Sequence, residues 1–247
     1  MIFLAVDLDG TLLGDEKATG ALLEKFNKLR DRGTGKLVYA TGHSLAQYKI
    51  LREQESLGNP DAVICSVGTE LYVGEDLRPD TDMQTQFSQG WDLQKIKNLC
   101  LKSANLRPQP EIEQSAYKLC FYGNKGENYA DLRAALEADF PAAKLLISHG
   151  GEFVDVLPKH SNKGRAVEYA AERFNISQSD IYCAGDSAND IEMLENNRAI
   201  IVGNAHDELM AWCAAYKGGN VYCAKNKYAA GIDEGLGYFL GQNWGEP

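Results

Sequence analysis

Short apolar runs recur along this chain, and each ends in a polar or glycine-bearing turn. Residues 2–6 stop at Asp7, 36–40 at Thr41-Gly42, 62–65 at Ser66-Val67-Gly68, 180–184 at Gly185-Asp186 and 199–202 at Gly203. Runs this short and this continuously apolar are the pattern of strands buried on both faces, as in a parallel sheet. Helical spacing lies between them. Residues 18–31 put Leu22, Leu23, Phe26 and Leu29 on one face before Gly33, and a helix follows Thr41-Gly42 to about residue 56. After the middle of the chain, Ser161 is expected to cap a helix to about Arg173, with further helical segments at 190–195, 206–216 and 229–240. The alternation predicts an α/β fold whose ligand site lies beyond the carboxyl ends of its strands, where Asp7, Asp9 and Thr41 gather.

The middle reads differently. Residues 78–90 are polar and irregular, 91–103 are expected to be helical, and 104–116 are rich in Pro, Gln and Glu. Strands are expected at 117–122, 144–148 and 152–156 with a helix at 128–138, which makes 78–157 a separate α+β insert in a core of 1–77 and 158–247. A formal charge of −10 argues against nucleic acid as a partner, because such binders carry basic patches. The first apolar run is too short to span a bilayer and lacks a basic flank, so no membrane association and a cytoplasmic location are expected. The six cysteines show no CxxC spacing and read as buried free thiols.

Two acidic clusters carry the chemistry. Asp7-Leu8-Asp9-Gly10-Thr11 ends the first strand, and Gly185-Asp186-Ser187-Ala188-Asn189-Asp190 follows a later one. A carboxylate can attack phosphorus once a metal neutralises both it and a dianionic phosphate, and Asp7 ends a rigid strand, which suits a nucleophile. Asp9 can protonate a leaving oxygen and later activate water. Asp186 suits a small hard cation, and Asp190 can hold a metal-bound water or orient Lys163. Lys163 opens a helix, where the dipole disfavours it, and would stabilise charge on phosphoryl oxygens. Thr41, with the backbone donors of Gly42 and His43, can hold another oxygen. Taken singly, each motif also reads as a polar turn or a helix cap.

In combination these motifs resemble the haloacid dehalogenase superfamily, in particular its aspartyl-phosphate phosphatases. The first motif, DxDxT, matches Asp7, Asp9 and Thr11; the second matches Thr41, the third Lys163, and the fourth, GDSxND, Gly185 through Asp190. The resemblance implies a Rossmann-like core with helices on both faces, a C2-type cap, Mg2+ held by Asp7, Asp9 and Asp186, and phosphate held by Asp9, Gly10, Thr41, Gly42, Lys163 and Asn189. Tyr39-Ala40-Thr41-Gly42, Val67-Gly68-Thr69-Glu70, Asp155-Val156-Leu157-Pro158 and Ser161-Asn162-Lys163-Gly164 look like bacterial sucrose-phosphate phosphatases. In that group the cap closes over the sugar, which implies hydrolysis of sucrose 6-phosphate or a related ester such as mannosylfructose phosphate. One departure is His43, where the group often has arginine.

For the sugar, the candidates are Glu70, Lys118, His149 and Gly150, with the side chains around Gln109 to Gln114. Lys118 is expected inside an apolar strand. Asn204 is read as packing near the metal loop, and His160 and His206 as ordinary surface residues. A monomer is expected, and the resemblance raises association with the synthase that makes the phosphorylated disaccharide. A phosphomutase and a non-catalytic sugar-phosphate binder are the competing functions. The second would have lost a nucleophile or metal ligand, and none is missing.

Overall fold

The structure, a computed structural model, describes residues 1–103 and 105–246, with His149 described by its backbone alone. Strands β1 (Ile2–Val6), β2 (Gly35–Ala40), β3 (Ala62–Cys65), β4 (Glu70–Val73) and β5 (Arg78–Pro79) come first. Strands β6 (Arg107–Pro108), β7 (Leu119–Tyr122), β8 (Ala143–Ser148) and β9 (Phe153–Pro158) form a separate antiparallel sheet in the order β6-β7-β9-β8. Strands β10 (Ile181–Gly185), β11 (Arg198–Ile201) and β12 (Val221–Cys223) rejoin the first sheet, giving the order β12-β11-β10-β1-β2-β3-β4-β5. Among the described residues, β4 alone runs against the other strands of this sheet, so its pairings with β3 and β5 are antiparallel and the rest are parallel.

Burial on both faces explains why the central runs lack alternation. From β1, Leu4 and Val6 pack with Leu22 and Phe26 of α1 (Glu16–Asp31), Tyr48 of α2 (Leu45–Gln54), and Ile232 and Leu236 of a C-terminal helix. Phe3 and Ala5 point the other way, into a cluster that includes Met83 of α3 (Thr81–Thr85). The cap core joins Ile96 and Cys100 of α4 (Leu93–Lys102) and Leu132 and Leu136 of α5 (Ala130–Asp139) to Phe121 and Val154. The second face of the main sheet is completed by α6 (Lys163–Arg173), α7 (Ile191–Leu194) and α8 (Asp207–Ala215), and the first by α9 (Tyr228–Leu240). Sequential strands depart to opposite sides of β1, so the β1–β10 boundary is the topological switch point.

The structure departs from sequence expectation in several places. Residues 78–87 belong to the core: β5 pairs with β4, and Met83 and Phe87 are buried with the main sheet. Asn162, not Ser161, caps α6, its Oδ1 accepting from Arg165 N–H at 2.7 Å, while Ser161 Oγ donates to Pro158 O. Lys118 lies in a tight Ser115–Lys118 turn before β7 and is buried, not one member of an alternating strand. Two of the six cysteines, Cys213 and Cys223, are not buried.

Gly164 shows how packing serves position. A Cβ there would fall into the Glu192 carbonyl, so glycine lets the start of α6 press against α7 and sets the depth of Lys163. Gly164→Ala is expected to cost about 1–3 kcal/mol by overpacking, seen as a lower urea midpoint at constant m-value. An unchanged midpoint would show that the two helices separate freely.

Candidate active site

The β1 ladder continues one residue past the strand, since Asp7 N–H donates to Ala184 O at 3.1 Å. This holds the Asp7 backbone beside the end of β10. The chain then makes a wide turn over Leu8–Leu12, in which Leu12 N–H bonds Asp7 O and Leu13 N–H bonds Leu8 O. Gly10 adopts φ +74°, and a Cβ there would meet the Asp186 carboxylate. Thr11 Oγ1 donates to Asp186 Oδ1 at 3.1 Å, and Asn204 Nδ2 donates to Gly10 O at 2.7 Å. The turn is thus tied to the loops after β10 and β11.

Lys163 is fully buried and reaches Asp7 Oδ1 at 2.5 Å and Asp190 Oδ1 at 2.7 Å. The other Asp190 oxygen accepts the N–H groups of Asp186 and Ser187, each at 3.1 Å. Burial raises the Asp7 pKa to about 7, with Lys163 pulling against it and Asp190 and Asp186 adding to it. Burial, then Asp190, also raises Asp186. For Lys163 burial disfavours the charge, but Asp190 and Asp7 outweigh it and hold the ammonium protonated above its usual range. Asp7, Asp186 and Asp190 present ligand atoms within 4.8 Å of one another. Three carboxylates against the Lys163 ammonium leave two formal negative charges, and an all-oxygen donor set suits a hard dication.

The carboxylate cluster differs from the set Asp7, Asp9 and Asp186 expected from sequence. The Asp9 carboxylate, 63 % exposed, turns instead to His43, with Nε2 2.7 Å from Oδ2 as an ion-pair contact without hydrogen-bond alignment. His43 holds Asp9 below the usual carboxylate range, and Asp9 in turn raises His43. Thr41 is fully buried, and its Oγ1 accepts from His43 N–H at 3.1 Å. Asn189 accepts from Ser187 Oγ at 2.9 Å.

The same loop carries the cap. Lys118 Nζ donates to Gly42 O at 2.7 Å, Ser44 Oγ to Ile112 O at 2.5 Å, and Gln47 Nε2 to Glu113. His43 Nδ1 lies 3.3 Å from Gln47 Oε1, so a continuous chain of contacts runs from Asp9 through His43 and Gln47 to the cap.

A cavity of about 1150 Å³ lies between cap and core, lined by Gly42, Asn189 and Gly150 among others. Glu70 does not line it. It is buried beneath the loop and accepts from Tyr72 OH and Ser66 Oγ. Lys118 is likewise a cap–core tie, and the His149 side chain is outside the described residues. Lining residues not expected from sequence are Arg133, Lys144, Asp155 and His206. Lys144 and Asp155 interrupt apolar strands, the same signal that drew attention to Lys118. His206 is more than a surface residue, because its N–H donates to Asp186 O at 2.8 Å. His160 is exposed. A smaller cavity of about 500 Å³ beside β5 and Arg173 is lined by none of the expected site residues.

Fold and site together define a haloacid dehalogenase core with a cap inserted mid-chain. More narrowly, residues 1–240 match the family described as sucrose-6F-phosphate phosphohydrolase, and the chain belongs to that family. It is 32% identical over 251 residues to sucrose-phosphatase 2 of Nicotiana tabacum, covering 96% of this chain and 59% of that one. The chain therefore spans about three fifths of that relative. It is 30% identical to the mannosylfructose-phosphate phosphatase of Agrobacterium fabrum, over 98% of this chain and 96% of the other. The structure of a Synechocystis sucrose-phosphatase in complex with sucrose and phosphate is similar at a TM-score of 0.86 and 30% identity, covering 96% and 97% of the two chains.

Removing the Lys163 charge would strand two buried carboxylates. Lys163→Met is expected to cost about 3–5 kcal/mol in urea unfolding without divalent cations. A loss below about 1 kcal/mol, the range of an exposed pair, would mean that the ion triad contributes little to the fold.

Proposed function

We propose that this chain is a Mg2+-dependent phosphomonoester hydrolase acting through an aspartyl-phosphate at Asp7, with sucrose 6-phosphate as substrate. The observation that carries the reading is the buried Asp7 carboxylate, fixed through Oδ1 by Lys163 at a strand end and flanked by two further acids. Mg2+, held by Asp7, Asp186 and Asp190, would supply positive charge that lets an anionic nucleophile and an anionic phosphate approach.

Asp7 forms a bond to phosphorus as the bond to the sugar oxygen breaks, and Asp9 delivers a proton to that oxygen. Asp9 then takes a proton from water, which attacks phosphorus and frees Asp7. Asp9 has to leave His43 to do this, because the ion pair lowers its pKa and makes it a poor acid. Lys163 stabilises charge on the phosphoryl oxygens, and Thr41, Gly42 and Asn189 are assigned to the remaining oxygens. For the sugar, Arg133, Lys144, Asp155 and Gly150 supply donors and acceptors from the cap side of the cavity.

The full-length similarity to a mannosylfructose-phosphate phosphatase favours that disaccharide phosphate as the second reading. Retention of every acid and of Lys163 argues against a non-catalytic binder. A phosphomutase would rephosphorylate its product.

Asp7→Asn is expected to cut Mg2+-dependent phosphate release by at least about 10³-fold, since a nucleophile's loss is of that order or larger. Comparable activity would remove Asp7 as nucleophile. Across sucrose 6-phosphate, mannosylfructose phosphate, trehalose 6-phosphate and hexose phosphates, a preference of at least ~10-fold for the first is expected, equivalent to about 1.4 kcal/mol. Equal rates would make the enzyme a generalist. Mg2+ at ~100 times its dissociation constant should stabilise the folded protein by about 2.7 kcal/mol, and Asp186→Asn should abolish that gain. Stabilisation that survives the substitution would move the metal elsewhere.

A further inference from the structure

Cys65, Cys100, Cys120 and Cys183 are buried, whereas Cys213 and Cys223 form a pair at the open edge of the main sheet. Their sulfurs lie 2.6 Å apart, between the bonded separation of about 2.0 Å and an ordinary non-bonded contact. Both cysteines are held by fixed elements. Cys223 ends β12 in register with Ile201, and Cys213 sits on α8, packed with Trp212 and Val221 against the core. The segment between them is anchored, since Tyr216 OH donates to Glu195 O at 2.5 Å and Asn220 Nδ2 donates to the same carbonyl at 3.3 Å. Trp212 and Tyr216 stack at 4.7 Å, and Tyr222 and Tyr238 at 4.5 Å, on either side of the sulfurs in sequence. Loop-closure cost is thus already met in the reduced fold.

We propose that Cys213 and Cys223 are an oxidative modification site, forming a reversible disulfide that staples α8 to the sheet edge with a low-molecular-weight disulfide as oxidant. Cys213 is the attacking sulfur. Partial desolvation and the neighbouring Cys213 thiol push Cys223 up to about 12, so Cys223 is held as the resolving sulfur in contact with Cys213. The Cys213 thiolate attacks one sulfur of the oxidant RSSR, forming a Cys213–SR mixed disulfide and releasing RS⁻. Cys223 then loses its proton to solvent and attacks the Cys213 sulfur, forming the Cys213–Cys223 bond and releasing the second RS⁻. Two cysteine thiols are oxidised and RSSR is reduced to two thiols.

The staple bears on the catalytic end of the molecule. His206, immediately before α8, donates its N–H to Asp186 O, and Asp207 and Glu208 of the first turn line the cap–core cavity. Oxidation therefore fixes the helix whose N-cap residue holds the backbone carbonyl of Asp186, a member of the acidic cluster.

The test treats the whole protein with glutathione disulfide, blocks free thiols under denaturing conditions and maps peptides by mass. The expected product is a Cys213–Cys223 linked peptide pair, lighter than the dithiol by two hydrogens and reversed by reductant. The oxidised wild type should melt roughly 5–10 °C higher than the reduced, as expected for closing so short a loop in a chain of this size. Cys223→Ser should stop at the mixed disulfide on Cys213, and neither it nor Cys213→Ser should show the thermal gain. Overturning results are two cysteines that remain fully alkylatable in folded wild type, or independent glutathione adducts that never link. Trapping of the adduct on Cys223 in Cys213→Ser, and none on Cys213 in Cys223→Ser, would reverse the order of attack and refute the scheme. None of these readouts uses phosphatase activity, so their failure leaves the proposed reaction untouched.

Discussion

An ammonium with no exposed surface is costly unless it is paired, and Lys163 is paired twice, to Asp7 and to Asp190. The contacts join β1, the start of α6 and the turn after β10, which are far apart in sequence. Their order in the sheet makes the meeting possible, because β10 lies beside β1 at the point where connections diverge. The Gly164 approach to α7 lowers the lysine into the gap between the two strand ends. The resulting ion triad is short of positive charge. Burial, with the neighbouring acids adding to it, raises Asp7 and Asp186, and the charge deficit makes the cluster receptive to a dication.

The cap is tied to the core through the loop after β2. Lys118, Ser44 and Gln47 make the ties, and Thr41, Gly42 and His43 belong to the same loop. A movement of the cap therefore pulls on the groups next to Asp9. His43 has a specific place in this linkage, with one ring nitrogen against Asp9 and the other toward Gln47. Arginine offers a wider, permanently charged fork, so histidine at this position changes how Asp9 is held while leaving Lys163 and its partners unaffected.

The core strands and the polar residues at their ends were legible in the sequence, because continuous apolar runs report burial directly. The bounds read for β1 and β3 coincide with those observed. The edge of the cap was not legible, since β5 is the two exposed residues Arg78–Pro79 and carries no apolar signal. Ser161 and Asn162 are adjacent residues that can both cap a helix, and only the fold decides that Ser161 turns back to Pro158. Glu70 follows a turn motif that pointed toward the sugar, yet its strand faces it into the interior, where Tyr72 and Ser66 satisfy it. His206 acts through its backbone, which side-chain chemistry does not advertise. Cys213 and Cys223 show no tell-tale spacing because a helix and a strand bring them together.

The central claim is that phosphorus is transferred to Asp7 itself. Its most direct measurement is to mix the Mg2+-loaded protein with sucrose 6-phosphate, quench within the turnover time, reduce with borohydride and sequence the peptides by mass spectrometry. An aspartyl-phosphate at Asp7 is converted to homoserine at position 7, and the account predicts that conversion only in the presence of substrate. Phosphate release in the same samples with Asp7 unmodified, or reduction at Asp9 or Asp186 instead, would contradict it.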